Sequence, residues 1–394
     1  MPEDDILYVS STGVLTGSCT KAAPCKTIQF GVDAVSGRRS WINIAPGVYA
    51  DRVAIDAKTL HIVAFGAELA PAADDHWLPA IDVKGAANVV IEGIQIRGVI
   101  TNQAGGSVGG VSCWSDSSGH APVLTLDGVS LTECTPAIMS NDCALTLQDS
   151  TVTQNGGSAN AAIESAGGSV TVTRSEISRN SRSGFRSTLS LLTIVQTTID
   201  GNQGSGIISD RGVVTLEQSA LLDNVFGGVF LSSCDFHFSN NIIARNGNSE
   251  GIFGGILVSG TPPSGSQGAR LEFNTITANR ASGTQTEAAG GVLCHQVDTP
   301  LSFTSNILYG NDVRQTVGAN CAWAYSDVGP DGVSGTGNLN MAPAFVDETT
   351  SDYHLKPGSP GTDAADPAAT LSTDFEGDAR PAGGRSDMGA DEVP

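Results

Sequence analysis

The sequence predicts an all-β solenoid, specifically a parallel β-helix with three short strands in each coil. Five segments repeat one pattern, in which two alternating strands are followed by a small turn and an asparagine: Leu145–Asn155, Val170–Asn180, Leu192–Asn202, Val214–Asn224 and Phe236–Asn246. From Asn180 onward these asparagines recur every 22 residues, at positions 180, 202, 224 and 246. A fixed period of about 20–25 residues is typical of a solenoid.

The residues around each asparagine favour a β-helix over a leucine-rich repeat. No Leu-x-x-Leu-x-Leu run precedes the asparagine, and a third strand follows it. These third strands begin on apolar residues that alternation points inward, namely Ile163, Phe185, Ile207, Val229, Ile256 and Val292. We expect the asparagines at the corners of the coils, in the left-handed conformation that Asn tolerates, with their amides hydrogen-bonded from coil to coil.

Composition supports a single repetitive unit with three regions. The chain of 394 residues has 48 glycines and only 5% aromatic residues, as expected for many tight turns and little helix. Residues 1–39 are predicted to form a strand, a disulfide loop and a short amphipathic helix (Thr27–Val35) that caps the first coil. Residues 40–312 would form the β-helix, and residues 313–394 an irregular acidic tail packed on the last coils.

Net charge excludes some partners. The formal charge of −21 argues against nucleic acid, whose phosphates require Lys and Arg. It also repels an acidic polysaccharide unless a cation or a local basic patch compensates. The tail from Ala342 holds eleven acidic and three basic residues, which indicates a solvated surface more than calcium binding. Calcium is possible as a cofactor, but nothing in the sequence requires it.

Eight cysteines favour an oxidising compartment. Cys19 and Cys25 bracket a short loop and form the expected disulfide, whereas eight cysteines allow 105 pairings in principle, so the other pairs stay open. No apolar run reaches the ~20 residues that span a bilayer. No signal peptide is visible, as in a secreted protein whose signal has been removed. We therefore expect an extracellular or cell-surface protein, with a monomer favoured.

Both ends of the chain resemble a known family. The segments Tyr8–Gly13 (YVSSTG), Ala23–Val35 (APCKTIQFGVDAV) and Ile42–Ile55 (INIAPGVYADRVAI) resemble the opening of bacterial right-handed parallel β-helix proteins of the pectin-lyase-like superfamily. The ending, Ala344–Asp366 and Thr373–Glu392, is similar to that of surface-exported choice-of-anchor β-helix proteins. The resemblance implies a right-handed β-helix; its enzyme members are polysaccharide lyases and glycoside hydrolases, and many members have no assigned reaction.

Candidate site residues lie at outward positions of the third strands. Glu164 and Asp210 fall two coils apart with Arg186 between them, a spacing compatible with the roughly 6.5–9.5 Å between the two carboxylates of an inverting glycosidase. In this hypothesis Glu164, Arg186 and Asp210 are catalytic. Trp114 could stack on a sugar, with Asp116 and His295 as further substrate-binding residues. The alternative interpretation is a surface ion-pair ladder of little energetic value.

The reaction type stays open at this stage. A lyase needs a base beside a carboxylate, and no lysine occurs between Lys84 and Lys356, so the base would be Arg, His or Tyr. The outward residues of the later third strands are apolar (Ile208, Phe230, Leu257 and Leu293), and we expect the tail to cover them. The sequence thus predicts a protein that acts on a polysaccharide or cell-envelope glycan as hydrolase or lyase; the alternative is a non-catalytic adhesin or structural spacer.

Overall fold

The computed structural model describes residues 3–72, 78–99, 109–157 and 159–394. The chain forms two compact units, residues 1–182 with 186–191, and residues 183–185 with 192–394. Within each unit, every coil adds one strand to each of three parallel sheets, called here the first, second and third sheet in chain order. The predicted all-β fold with three strands per coil is confirmed.

In unit 1 the first sheet contains Ile6–Val14, Trp41–Ile44, Thr59–Val63, Asn88–Glu92, Val123–Asp127, Ala144–Gln148 and Ser169–Thr173. The second sheet contains Gly47–Tyr49, Ala67–Leu69, Gln95–Arg97, Ser130–Thr132, Thr151–Thr153 and Glu176–Ser178. The third sheet contains Val53–Asp56, Ile81–Lys84, Val111–Trp114, Ile138–Asn141 and Ala161–Ala166. Two strands, Ser183–Thr188 of the third sheet and Leu191–Val195 of the first, are divided between the units.

In unit 2 the first sheet contains Val213–Glu217, Asp235–Ser239, Ala269–Glu272, Leu301–Thr304 and Cys321–Ala324. The second sheet has Thr198–Asp200, Ala220–Leu222, Ile242–Ala244, Thr275–Thr277, Ile307–Tyr309 and Asp327–Gly329. The third has Ile207–Asp210, Val229–Ser232, Ile256–Ser259, Val292–His295 and Thr316–Val317. An antiparallel pair, Phe345–Asp347 and Asp352–Leu355, lies in the tail. Short 3₁₀ helices occupy Glu3–Asp5, Gly265–Gly268 and Glu348–Thr350.

The predicted helix is present at Ile28–Asp33. Thr27 is its N-cap and accepts a hydrogen bond from the backbone N–H of Phe30, as an N-cap hydroxyl commonly does. Ile28 and Val32 are buried, and the helix contacts the strands Ile6–Val14 and Val53–Asp56. No helix in the described part of the chain is long and apolar enough to cross a membrane.

The interior follows the predicted alternation. The apolar residues that begin the third strands are buried, as predicted: Ile163, Phe185, Ile207, Val229, Ile256 and Val292. In unit 2 the outward Leu257 and Leu293 are buried as well. Their apolar neighbours are Ala289, Phe230, Phe253 and Val317. Val317 is the one residue of the predicted tail in this cluster, and it belongs to a further strand of the third sheet, beside Leu293. Phe253 and Ala289 from the preceding loops supply the rest of the cover.

The asparagine column forms a hydrogen-bonded ladder, as predicted. In unit 2 the Nδ2 of each asparagine donates to the Oδ1 of the next, at 2.9–3.0 Å: Asn202, Asn224, Asn246, Asn279 and Asn311. In unit 1 Asn155 donates to Asn180 at 3.1 Å. The asparagines themselves are not left-handed. The preceding residue carries the positive φ (Gln154, Arg179, Gly201, Asp223, Arg245, Ala278 or Gly310), because the asparagine side chain is committed to the buried ladder.

A second polar ladder lies at the corner between the first and second sheets. Each backbone N–H at this corner donates to the side-chain oxygen of the next coil, through Ser150 and Ser175 in unit 1 and through Thr197, Ser219, Asn241, Asn274, Asn306, Ser326 and Asn338 in unit 2. In the coils from Val129 onward, two corners thus satisfy buried backbone donors with side chains.

Parallel pairing continues beyond residue 312, where the sequence analysis placed the end of the β-helix, up to Gly329. The register pairs Tyr309 with Gly329, so Asp331 stands where the previous coil has Asn311, and the asparagine that marks the other coils is missing from the last one. The tail then packs in unit 2, where Phe345, Tyr353, Leu355, Ala365 and Met388 form one core cluster with Ala244, Phe273 and Ile307. A buried ion pair joins Arg380 to Glu392 at 2.9 Å.

Six cysteines form three disulfides, Cys19–Cys25, Cys113–Cys143 and Cys294–Cys321. The first is the disulfide that the sequence predicts. Cys134 and Cys234 are buried free thiols, and burial raises the pKa of Cys134 to about 12. A thiol with so high a pKa is not a nucleophile at neutral pH.

Candidate active site

The candidate site is built on the third sheet of unit 1. Parallel register places Trp114 beside Asn141, and Met139 beside Glu164. These residues alternate with the inward Cys113, Ile138 and others of the core, so their side chains project from the outer face of the sheet. Neighbouring strands of a sheet lie about 4.8 Å apart, which lets side chains from successive coils form one surface.

A cavity of about 180 Å³ opens on this face. It is lined by residues of four successive strands: Trp114, Met139, Ser140, Asn141, Glu164, Ser165, Ala166, Arg186 and Thr188. The structure therefore brings together three of the residues singled out in the sequence, namely an aromatic ring, a carboxylate and a guanidinium. The cavity is smaller than the roughly 300–1,000 Å³ of pockets that enclose a whole ligand, so it suits one unit of a chain that extends beyond it.

Glu164 is half-buried and held in a fixed orientation. Its Oε1 accepts hydrogen bonds from the backbone N–H groups of Asn160 at 2.7 Å and Ala161 at 3.2 Å. Both donors belong to the segment that leads into the same strand. Its Oε2 accepts no hydrogen bond from the residues that the structure describes, so this oxygen is available to a ligand.

Arg186 and Trp114 supply the other two chemical functions of the cavity. Arg186 is exposed and has neither an ion-pair nor a hydrogen-bond partner within the described ranges. The surface ion-pair ladder considered for Glu164 and Arg186 is thus not formed between them. Trp114 is half-buried and also lines the cavity. A cavity lined by an unpaired guanidinium and an aromatic residue is suited to a ligand with both a polar edge and an apolar face.

The other residues singled out in the sequence lie elsewhere. Asp116 follows the end of its strand, where alternation no longer applies, and does not line the cavity. Its carboxylate accepts the backbone N–H groups of Ser118 and His120 and pairs with His120 Nδ1 at 2.8 Å. The backbone hydrogen bond from His120, followed by that residue's side chain, lowers the pKa of Asp116. Asp116 therefore closes a turn.

Asp210 and His295 belong to unit 2. The carboxylate of Asp210 accepts hydrogen bonds from Arg211 Nε and Ser232 Oγ, each at 2.8 Å. His295 Nδ1 lies 3.3 Å from Glu287 Oε2. Neither residue lines the cavity, and their proposed roles stay predictions.

Sequence reasoning did not select Asn141, Asp82 or Lys84. Asn141 lines the cavity next to Trp114, and the register places Lys84 on the other side of Trp114, with Asp82 two residues before it. Burial raises the pKa of Asp82, and the neighbouring Lys84 partly offsets the shift. The signal that could have identified them is the strand register, which the irregular loops of the early coils obscure.

Comparisons with known proteins agree on the architecture. Residues 109–276 match the family model described as the right handed beta helix region. The solved structure of XylC in complex with xylose has a TM-score of 0.65 at 11% identity, over 98% of both chains. The pectate lyase Pel9A has a TM-score of 0.58 at 16% identity, over 99% of this chain and 96% of its own.

A third structure extends the similarity. The A-module of the mannuronan C-5 epimerase AlgE4 from Azotobacter vinelandii has a TM-score of 0.51 at 15% identity, over 80% of this chain and 92% of its own. A search of curated protein sequences finds no match. The protein therefore has the fold of a right-handed parallel β-helix.

Proposed function

We propose that the third-sheet face of unit 1 binds a polysaccharide chain and that the protein cleaves this chain at the cavity. One observation carries the proposal: Trp114, Glu164 and Arg186 line the same cavity of about 180 Å³. The proteins of known structure with this fold include one named as a pectate lyase, one as a mannuronan epimerase and one solved with xylose, which favours a glycan as ligand.

Each of the three side chains has a distinct role in this proposal. The ring of Trp114 stacks on the apolar face of a sugar. Arg186, which has no protein partner in the described ranges, binds a carboxylate or hydroxyl oxygen of the substrate. It also compensates locally for the net charge of −21, which would otherwise repel an acidic chain. Glu164 uses Oε2 to transfer a proton to or from the glycosidic oxygen or a water molecule.

Hydrolysis by inversion needs a second carboxylate. The sequence analysis predicts Asp210 for this role, and Asp210→Asn tests that prediction separately from Glu164. Cleavage that survives Asp210→Asn would remove Asp210 from the mechanism and leave Glu164 as the acid–base group.

A second candidate function is glycan binding without cleavage. Its support is that Glu164 is the only carboxylate among the residues found to line the cavity, whereas acid–base cleavage normally uses two groups. In this case Trp114 and Arg186 bind the chain and Glu164 contributes a hydrogen bond. An adhesin or a structural protein of the cell envelope would work in this way.

We also propose a location outside the cytoplasm. Three disulfides are present, and disulfides persist in oxidising compartments. A location at the cell surface or in the periplasm would give access to an envelope polysaccharide. Fractionation of the native host, followed by detection of the protein, checks this.

A substrate screen tests the function. Purified protein is incubated with neutral and uronic-acid-containing polysaccharides while reducing ends and unsaturated products are followed together. Reducing ends without unsaturation are expected, and Glu164→Gln should reduce their rate by about 100-fold or more. Glu176→Gln is the matched control because Glu176 lies on the second sheet of the same unit.

The other outcomes are distinct. Unsaturated products would indicate a lyase and direct attention to Arg186. Binding that requires Trp114 and Arg186 without any cleavage would establish the second candidate. Cleavage that Glu164→Gln leaves intact would contradict the proposed active site.

A further inference from the structure

Three side chains of the C-terminal tail lie close together in space. None of them belongs to the segments that line the cavity. His354 lies on the strand Asp352–Leu355, Glu376 lies in the turn after Asp374, and Asp391 lies near the end of the chain. One ligand atom from each (an imidazole nitrogen and two carboxylate oxygens) lies within 4.8 Å of the others. Segments separated by 22 and 15 residues thus meet at one point, since 376 − 354 = 22 and 391 − 376 = 15.

The imidazole is already oriented for coordination. His354 Nδ1 pairs with Asp352 Oδ1 at 2.5 Å, which leaves Nε2 directed at Glu376 Oε1, 2.9 Å away. A carboxylate that fixes one ring nitrogen while the other binds a metal is the usual arrangement for histidine ligands. The N···O distance of 2.9 Å is that of a direct hydrogen bond, about 0.5 Å shorter than the roughly 3.4 Å between two ligands of a tetrahedral ion with bonds of about 2.0–2.2 Å, so the two groups would move apart slightly to admit an ion.

Asp391 supplies an independent indication. It is only 9% exposed, and its Oδ2 accepts the backbone N–H of Leu355 at 2.6 Å. Its Oδ1 accepts no hydrogen bond from any described residue and keeps some access to solvent, so an ion can reach it. The nearby buried Arg380 donates through Nη1 and Nη2 to Glu392 Oε2 and to the carbonyls of Asp387 and Gly389, and not to Asp391. A bound cation would satisfy this oxygen.

The backbone around Glu376 is also fixed. Asp374 Oδ1 accepts the N–H groups of Glu376, Gly377 and Asp378, and its Oδ2 accepts that of Glu392. The turn that carries Glu376 is therefore tied to the segment that carries Asp391. A site built on restrained backbone loses little conformational entropy when it binds an ion.

We propose that His354 Nε2, Glu376 and Asp391 bind a divalent metal ion of the zinc class, with Asp352 as a positioning residue and water in the remaining position. One imidazole and two carboxylates suit Zn²⁺, whereas Ca²⁺ requires about six to eight oxygen ligands. The ion would cross-link three segments of the tail and hold the tail in place. This inference is independent of the proposed glycan site.

The test uses the full-length protein after treatment with a chelator. Zn²⁺ is titrated in by calorimetry, and thermal unfolding is followed in parallel. We expect one equivalent to bind and the Tm to rise until that equivalent is reached, because a ligand of the native state stabilises it. His354→Ala and Glu376→Gln should weaken Zn²⁺ binding more than 100-fold, and Asp352→Asn about 10–100-fold.

Two controls keep the result interpretable. His237→Ala removes an exposed histidine of unit 2 that has no role in the cluster and should bind Zn²⁺ normally. Circular dichroism shows whether each variant is folded, and Co²⁺ absorption reports on a tetrahedral nitrogen–oxygen site in the wild type. The absence of Zn²⁺ binding, tighter binding of Ca²⁺ than of Zn²⁺, or Zn²⁺ binding that His354→Ala and Glu376→Gln leave unchanged would each overturn the proposal.

Discussion

The third sheet shows two different outer faces in the two units. In unit 1 the outward positions carry Met139, Glu164 and Arg186, and a cavity opens among them. In unit 2 the outward Leu257 and Leu293 are buried beneath Phe253 and Ala289. The inward residues are buried and apolar in both units, and each unit has an asparagine ladder at its corners. The buried interior and the corner ladders are therefore alike in the two units. The outward side chains and the loops decide whether a face is open to a ligand or closed.

The largest expected effect on the free energy of unfolding comes from the asparagine ladder. Asn224→Ala removes a buried amide that accepts from Asn202 and donates to Asn246 and to the carbonyl of Ile199. Each buried group left unpaired costs about 1–3 kcal/mol, so we expect a loss of about 3–5 kcal/mol in the free energy of unfolding. Denaturant unfolding measures this, with the exposed Asn43→Ala as control. Equal effects of the two changes would show that the ladder does not stabilise the coils.

Next in size is the closed face of unit 2. Leu293→Ala truncates a side chain that is 1% exposed and should lower the free energy of unfolding by about 2–4 kcal/mol. Glycan binding should be unchanged, because the proposed binding face lies in unit 1. Leu191→Ala, at a position that is 57% exposed, should change stability by less than about 0.5 kcal/mol. A loss of glycan binding in folded Leu293→Ala would contradict the division between open and closed faces.

The smallest effect in free energy falls on the open face. Trp114→Ala should weaken glycan binding about tenfold, or about 1.4 kcal/mol, because the stacking surface is lost. Affinity electrophoresis or calorimetry with the best ligand from the screen measures it. Trp41, which stacks on His61 at 3.8 Å on the first sheet, gives the matched control Trp41→Ala. If Trp41→Ala weakens glycan binding as much as Trp114→Ala does, the third sheet of unit 1 is not the binding face.

Much of the fold could be predicted because one physical requirement repeats. Every coil must bury apolar residues at alternate positions and pair the buried backbone N–H groups at its corners, so the same residue types recur along the sequence. The second ladder escaped prediction because serine, threonine and asparagine all serve there, as Ser175, Thr197 and Asn241 illustrate. The left-handed conformation was assigned to the asparagines, but the residue before each asparagine has the positive φ. Asparagine recurs at the corner because its side-chain amide forms the ladder, and not because of its backbone conformation.

The site was predictable only where the repeat is regular. Alternation placed Trp114, Glu164 and Arg186 on one face, and these residues line one cavity. It failed for Asp116, which lies beyond the end of its strand in a turn of its own. The tail cannot be predicted in this way, because long-range contacts such as the pair between Arg380 and Glu392 have no period.

The side-chain ladder at the corners also makes coils interchangeable. Asn202 and Asn224 present the same donor and acceptor to their neighbours, 22 residues apart. A duplication of one such segment in phase would supply a complete new coil, with each buried amide meeting an identical partner above and below. The number of coils, and with it the length of surface available to a chain-like ligand, can therefore change during evolution through insertions and deletions of whole repeats, without redesign of the interior.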